Sequence, residues 1–101
     1  MTSAAAQQSF EEGLAAYRQG QFELAAHAFS AGLKQDPSHW EMHLYLGMAY
    51  VRMERIADAR RQFLEVRDLC PDADMRKKAQ TALGAISPTT SQQGIKKVSS
   101  G

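Results

Sequence analysis

Apolar side chains recur every three or four residues along most of this chain, which is the spacing of one face of an α-helix. In the clearest segment, residues 21 to about 35, the apolar positions are Phe22, Ala25, Ala26, Phe29 and Leu33. The same period predicts one helix before this segment and three after it, the fourth helix beginning near Ile56. No stretch shows the pattern of a strand. The sequence therefore predicts an all-α fold of five helices.

Residues that favour helix C-termini separate the predicted helices. Gly20 stands where a left-handed residue would close the first helix, and Pro37 and Pro71 stop the second and the fourth. Gly84 is expected to close a fifth helix over residues 73–83. These four residues set the predicted helix ends.

Side chains that can cap helix N-termini precede three of the predicted helices. Ser3 can cap the first helix, and Asp72 can cap the fifth. Ser38 and Glu41 predict a capping box before the third helix, in which the hydroxyl and the carboxylate satisfy each other's backbone N–H groups.

Four residue pairs in the chain are separated by the same 34 positions. They are Gly13 and Gly47, Ala25 and Ala59, Phe29 and Phe63, and Pro37 and Pro71. One offset shared by four residue types predicts two copies of a single helical hairpin stacked in series. Arrays of this kind usually act as binding surfaces and seldom as catalysts.

The 34-residue period, with two helices per unit and Gly, Ala, Phe and Pro in that order, resembles the tetratricopeptide repeat. The matching residues of the first unit are Gly13, Tyr17, Gly20, Phe22, Ala25, Phe29, Leu33 and Pro37. Those of the second unit are Leu46, Gly47, Tyr50, Ile56, Ala59, Phe63 and Pro71. The resemblance covers roughly residues 6–71.

This resemblance implies a tetratricopeptide-like α-α superhelix, made of two helical hairpins and a C-terminal capping helix. The domain would span residues 1–86, with repeats at about 6–39 and 40–73 and the capping helix at 73–84. Residues 87–101 have little apolar content and no period, so we expect a disordered tail. Within it, residues 95–98 form a small basic and apolar island.

The resemblance also implies how the repeats pack. Gly13 and Gly47 should let the two helices of each repeat approach closely, and Phe29 and Phe63 should fill the space between repeats. Glu54 stands in place of the usual inter-helix glycine, so the second turn is expected to be less tight than the first.

In this family the first helix of each repeat lines a concave surface. The resemblance gives the inward positions as Gln7, Phe10, Leu14, Tyr17, Arg18, Glu41, Leu44, Met48, Val51 and Arg52, with Met75, Lys78 and Ala82 from the capping helix. We predict a mostly apolar groove with a basic edge. Its predicted partner-binding residues are Phe10, Leu14, Tyr17, Arg18, Leu44, Met48, Val51, Arg52, Met75 and Lys78. The alternative for its apolar members is ordinary core packing, as for any apolar helical stripe.

The family's carboxylate clamp, which holds a peptide C-terminus with Lys and Asn, is absent. Its positions hold Phe10, Leu14, Met48, Met75 and Ala79. We therefore expect a protein or peptide partner with an apolar segment instead of an acidic C-terminal tail.

Composition narrows the function classes further. The chain has 101 residues, enough for one domain, and its 12 basic and 11 acidic residues leave a net charge of +1. A net charge this close to zero gives no global attraction to nucleic acid or to an anionic membrane. No signal peptide or membrane-spanning run is present in the sequence, so a cytoplasmic location is expected. A single cysteine excludes an internal disulfide framework.

The sequence contains few candidates for catalytic or metal-binding residues. His39 and His43 have the spacing of two metal ligands on one helix face, but no third ligand of obvious spacing follows, so packing or solvent roles are favoured. Cys70, at a predicted helix C-terminus, is expected to be a small core residue. The sequence contains no phosphate-binding loop and no catalytic triad order. We expect no enzyme activity, cofactor or metal.

Two alternatives to binding a protein partner in the groove remain open, namely self-association and nucleic-acid binding. Two repeats are fewer than solenoids generally need, so the chain is a candidate for self-association through its open ends. An arginine cluster, Arg52, Arg55, Arg60 and Arg61, is a candidate nucleic-acid surface. Acidic residues are interleaved with these arginines at helix-pair spacing, which favours a solvated charged face.

Overall fold

The computed structural model describes residues 4–86, which form five α-helices. They are α1 (Ala4–Arg18), α2 (Phe22–Gln35), α3 (Trp40–Arg52), α4 (Ile56–Leu69) and α5 (Ala73–Ile86). No strand occurs between residues 4 and 86, and the all-α prediction is confirmed. The predicted cap at Ser3 and the predicted disordered tail, 87–101, lie outside the described residues.

The helices pack in chain order, each against the next, and α3 also contacts α1 and α5. Two helical hairpins, α1–α2 and α3–α4, are thus followed by a single helix that covers the second hairpin. This is the arrangement of a helical repeat with a terminal helix.

The buried side chains form two clusters that meet at α3. The first cluster is made by α1, α2 and α3, and its members are Phe10, Ala16, Ala25, Ala26, Phe29, Met42, Leu46 and Ala49. The second is made by α3, α4 and α5 and the residue after α4, and its members are Leu44, Ala59, Phe63, Val66, Cys70, Ala79, Leu83 and Ile86. Because α3 supplies apolar residues to both, it joins the two repeats into one packed unit.

Glycines at equivalent positions bring the helices of each repeat into close contact. A Cβ placed on Gly47 would stand 2.6 Å from Phe63 Cε1, and Gly13 lies in the same way against the ring of Phe29. The ring of Phe29 also lies 6.0 Å from the ring of Tyr45 in the next repeat. The predicted close approach is confirmed.

The turns inside the two repeats have the same geometry. Gly20 has a φ of +80° and Glu54 a φ of +63°, both left-handed. The Gly20 N–H donates to the Tyr17 carbonyl at 3.0 Å, and the Glu54 N–H donates to the Val51 carbonyl at 3.0 Å. The expectation of a looser second turn is wrong. The turn is held by backbone hydrogen bonds, so Glu54 takes a strained conformation while the turn stays closed.

The cap of α3 differs from the prediction. Ser38 Oγ donates to Asp36 Oδ1 at 3.3 Å, and the capping acceptor is His39 Nδ1, which receives the Met42 N–H at 3.1 Å. The imidazole packs 4.7 Å from the ring of Phe10, which holds it at the helix end. The predicted capping box is therefore wrong.

The fifth helix is capped as predicted but is longer. Asp72 Oδ1 accepts the Asp74 N–H at 2.9 Å, as expected of an N-cap. The helix continues through Gly84 to Ile86 instead of ending at Leu83. Ile86 is only 7% exposed and packs in the second cluster, and burying it favours the extra turn.

Candidate functional site

Two adjoining cavities lie along the surface between α3 and α5. One, of about 260 Å³, is lined by Glu41, Leu44, Tyr45, Met48, Phe63, Met75, Lys78 and Ala82. The other, of about 190 Å³, is lined by Tyr17, Met48, Val51, Arg52, Phe63, Ala82, Ala85 and Ile86. Because Met48, Phe63 and Ala82 line both, the cavities form one continuous depression, which we call the α3/α5 groove.

Helical spacing places these side chains along two parallel walls. On α3 the lining positions are 41, 44, 45, 48, 51 and 52, and on α5 they are 75, 78, 82, 85 and 86. Positions three or four apart share one helix face, so each helix presents a continuous row to the groove. Phe63 of α4, 1% exposed, forms the floor between them.

Met48 lies where the two cavities meet and is one of three exposed large apolar residues within residues 4–86, with Leu24 and Leu69. It retains 39% of its surface, whereas most large apolar residues of the hairpins are buried or half-buried. Exposed apolar surface inside a depression is costly in water and is typical of a binding site. A thioether side chain also adapts to ligands of different shape.

Seven of the ten predicted partner-binding residues line the groove. They are Tyr17, Leu44, Met48, Val51, Arg52, Met75 and Lys78. Phe10, Leu14 and Arg18 do not line it.

The first helix contributes less to the groove than the resemblance implied. Phe10 is 7% exposed, and its ring packs against those of Phe29 and Tyr45, at 6.1 and 5.9 Å. Leu14 packs against the same cluster. Tyr17, whose ring also lies 6.0 Å from that of Tyr45, is the α1 residue that lines the groove.

Four lining residues lay outside every predicted set of inward positions: Tyr45, Phe63, Ala85 and Ile86. Continuing the helical period of the capping helix from Ala82 for one more turn would have identified the last two. Phe63 had been expected only between the repeats, and nothing in the pattern indicated that its ring also reaches a surface depression.

The charged side chains of the groove differ in their surroundings. The Arg52 guanidinium lies 4.8 Å from the ring centre of Phe22, and Tyr17 meets the same ring edge-on at 5.1 Å. These contacts tie Arg52 to the first repeat. Within residues 4–86, neither Glu41 nor Lys78 has an ion-pair partner within 4 Å.

The predicted arginine cluster is paired only in part, since within residues 4–86 neither Arg52 nor Arg60 has a carboxylate within 4 Å. Arg55 and Arg61 both pair with Asp58, at 2.7 and 3.8 Å, and Arg67 pairs with Asp68 at 2.8 Å. The hydrogen bond from Arg67 holds the pKa of Asp68 below its usual value. Charges already paired within a helix face contribute less to phosphate binding.

The histidine and cysteine side chains have structural surroundings. His43 is buried and contacts Pro37 and Gln62, and Cys70 is 3% exposed. Across the part of the chain that the structure covers, no three His, Cys, Asp or Glu side chains are grouped to hold a metal ion. No helix in that part is both long and apolar enough to cross a bilayer.

Comparison with known proteins agrees with the stacked hairpins and the 34-residue period. The family model described as the tetratricopeptide repeat matches residues 10–74. No curated protein matches the chain significantly. The match covers more than half of the chain, from within α1 through the rest of both hairpins to the start of α5. The chain therefore belongs to the tetratricopeptide repeat family.

Proposed function

We propose that this protein is an adaptor or scaffold module that binds an apolar segment of a partner protein in the α3/α5 groove. Tetratricopeptide repeats in general mediate protein–protein interactions and are not catalytic. The observation that carries the proposal is the exposure of Met48 between two apolar cavities. An apolar partner side chain placed there would remove this surface from water.

The shape of the groove supports a segment more than a globular surface. Two connected cavities of about 260 and 190 Å³ succeed one another along α3. Such a row suits successive anchor side chains of a peptide or a helix. Tyr17 and Arg52 at one end and Lys78 near the other supply polar groups that can orient the segment.

The test compares Met48→Glu with Leu24→Glu. Leu24 is 57% exposed on α2 and does not line the groove, so it controls for the loss of an exposed apolar residue. Each protein is used as bait in a pull-down from native lysate, and bound proteins are identified by mass spectrometry. We expect a partner that is lost with Met48→Glu and kept with Leu24→Glu.

The double variant Tyr17→Ala/Met48→Glu should lose the same partner while keeping its helical circular dichroism spectrum. Equal recovery of every partner by wild type and double variant would contradict the groove assignment. Recovery of the protein itself as sole partner, in all forms, would favour self-assembly instead.

Self-association and nucleic-acid binding have less support than partner binding in the groove. Exposed side chains of α5 include Asp74, Lys77, Gln80 and Thr81, so stacking a second copy on that helix would bury charged and polar groups. For nucleic acid, the ion pairs along α4 reduce the free positive charge. Sedimentation at several concentrations and a binding assay with generic RNA at low salt test these two alternatives.

A further inference from the structure

A third cavity extends the α3/α5 groove at the N-terminal end of α3. It has a volume of about 400 Å³ and lies between the α2–α3 and α4–α5 loops. Its lining residues are Asp36, Ser38, His39, Trp40, Glu41, Cys70, Asp72 and Met75. Because Glu41 and Met75 also line the groove, the two depressions are continuous. We call the third cavity the acidic end of the groove.

Among the residues that the structure describes, three carboxylates line the acidic end, and no lysine or arginine does. Asp36 accepts the Ser38 hydroxyl, and Asp72 accepts a backbone N–H. Glu41 has no hydrogen-bond or ion-pair partner in the described part of the chain. These partners are neutral, so all three negative charges remain uncompensated by direct pairing.

Two cations lie close to the acidic end without pairing with it. Lys78 lines the neighbouring cavity together with Glu41. Arg76 donates from Nη1 to the Cys70 backbone carbonyl at 2.9 Å. Within residues 4–86, the three lining carboxylates outnumber these two cations by one.

The charge changes sign along the groove. Arg52 lies at the opposite end of α3 from Glu41, eleven residues further along, which is about 16 Å at the helical rise of 1.5 Å per residue. The apolar residues Leu44, Met48 and Val51 occupy the distance between them. A ligand therefore meets Arg52 at one end of an apolar middle and, at the other end, three carboxylates with Lys78 beside them.

We propose that the partner segment carries a lysine or arginine beside its apolar residues, and that this cation binds at the acidic end. The inference rests on the proposed function, because it needs an apolar segment in the groove. A cation there would meet carboxylates that have no cationic partner within residues 4–86, and the ring of Trp40, stacked on His43, lines the same cavity as an aromatic surface. About five residues of extended chain span the 16 Å to Arg52, so the cation fixes the position of the apolar residues that follow it.

The first experiment identifies ligands without assuming a partner. Random 12-residue peptides displayed on phage are selected on the full chain, and in parallel on the Met48→Glu variant. We expect the sequences enriched only on wild type to combine apolar residues with a lysine or arginine on one flank. Apolar enrichment without a basic flank overturns the inference and leaves the proposed function intact. No Met48-dependent enrichment overturns both.

The second experiment measures the charge contribution. Fluorescence anisotropy with an enriched peptide compares wild type with the triple variant Asp36→Asn/Glu41→Gln/Asp72→Asn. Asparagine keeps the capping ability of Asp72, so the fold is preserved. We expect affinity to fall about tenfold at low salt, with a smaller loss at high salt because exposed charges are screened.

A matched control removes the same number of charges elsewhere. The variant Glu11→Gln/Glu12→Gln/Glu23→Gln alters three exposed residues of α1 and α2 that do not line the groove. We expect its affinity to stay within about twofold of wild type, since these charges are distant and screened. Equal losses in both triple variants would mean that only net charge matters, and would overturn the placement of the cation.

Discussion

Gly47 of α3 packs directly against the ring of Phe63 in α4, with room for no more than a hydrogen at the α-carbon. A Cβ at this position would stand 2.6 Å from Phe63 Cε1 and 2.8 Å from Cζ. Phe63 is 1% exposed and packed in the second cluster, so a methyl group at position 47 would have to displace the ring from that packing. The close approach of the two helices thus depends on a missing side chain.

Replacing this glycine should therefore destabilise the second repeat. We expect Gly47→Ala to lower the free energy of unfolding by about 1–3 kcal/mol, the usual cost of overpacking a core. Urea unfolding followed by far-UV circular dichroism measures the change.

Gly84→Ala is the matched control for Gly47→Ala. It lies within α5 with nothing within 4 Å of an added Cβ. Alanine favours the helix over glycine, so this variant should be more stable by about 0.5–1 kcal/mol. Equal changes in the free energy of unfolding for Gly47→Ala and Gly84→Ala would contradict the argument that α3 and α4 need a glycine at position 47 to pack.

The turn between α3 and α4 offers a stabilising substitution. Glu54 has a φ of +63°, a conformation that costs an ordinary residue about 1–2 kcal/mol. Glycine removes this cost but loses about 0.4–1 kcal/mol through the entropy of the unfolded chain. We expect Glu54→Gly to raise the free energy of unfolding by about 0.5–1 kcal/mol, measured by urea titration.

The equivalent turn of the first repeat should show the opposite effect. Gly20 has a φ of +80°, so Gly20→Ala should lower the free energy of unfolding by about 1 kcal/mol. If both substitutions shifted stability in the same direction, the two turns would not share one geometry.

His43 links α3 to α4 and to the loop before α3. Its Nε2 lies 2.8 Å from the Pro37 carbonyl oxygen, and its Nδ1 lies 2.8 Å from Gln62 Oε1. The Pro37 backbone carbonyl oxygen only accepts, so Nε2 donates to it. We expect His43→Leu to lower the free energy of unfolding by about 1–3 kcal/mol, because two polar groups lose their partner.

His27→Leu provides the comparison for His43, because His27 is exposed on α2. Its substitution should change stability by less than about 0.5 kcal/mol. Thermal and urea unfolding of both variants measure the difference, and a comparable loss for His27→Leu would remove the case for a specific role of His43.

The thiol of Cys70 should be protected while the chain is folded. It is 3% exposed, and its Sγ lies 3.8 Å from the Asp72 backbone carbonyl oxygen, to which it donates. We expect its reaction with a disulfide reagent to be at least about 100-fold slower in buffer than in denaturing urea, since reaction requires local opening. Similar rates in both conditions would show that the α4–α5 junction opens freely.

The sequence alone determined the repeat and most of the helix ends. The 3.6-residue period of apolar positions located all five helices, because one face of each must be buried. The 34-residue recurrence of Gly13 and Gly47 indicated two copies of one hairpin, and Gly20 and Asp72 have the terminal roles expected of them.

Tertiary structure decided which neighbour covers each apolar face. Periodicity shows that Phe10, Leu14 and Tyr17 share a side of α1, but not that Tyr45 of α3 covers the first of them. The cap of α3 also required the tertiary contact between His39 and Phe10.

The groove likewise depends on contacts between elements distant in sequence. Ile86 extends α5 past a glycine because the second cluster buries it, and this extension completes the end of the groove beside Arg52. The acidic end arises between the α2–α3 and α4–α5 loops, where Asp36 and Asp72 line the same cavity. A helical period determines which residues share a face, whereas the packing of whole helices determines which faces meet and which stay open to a partner.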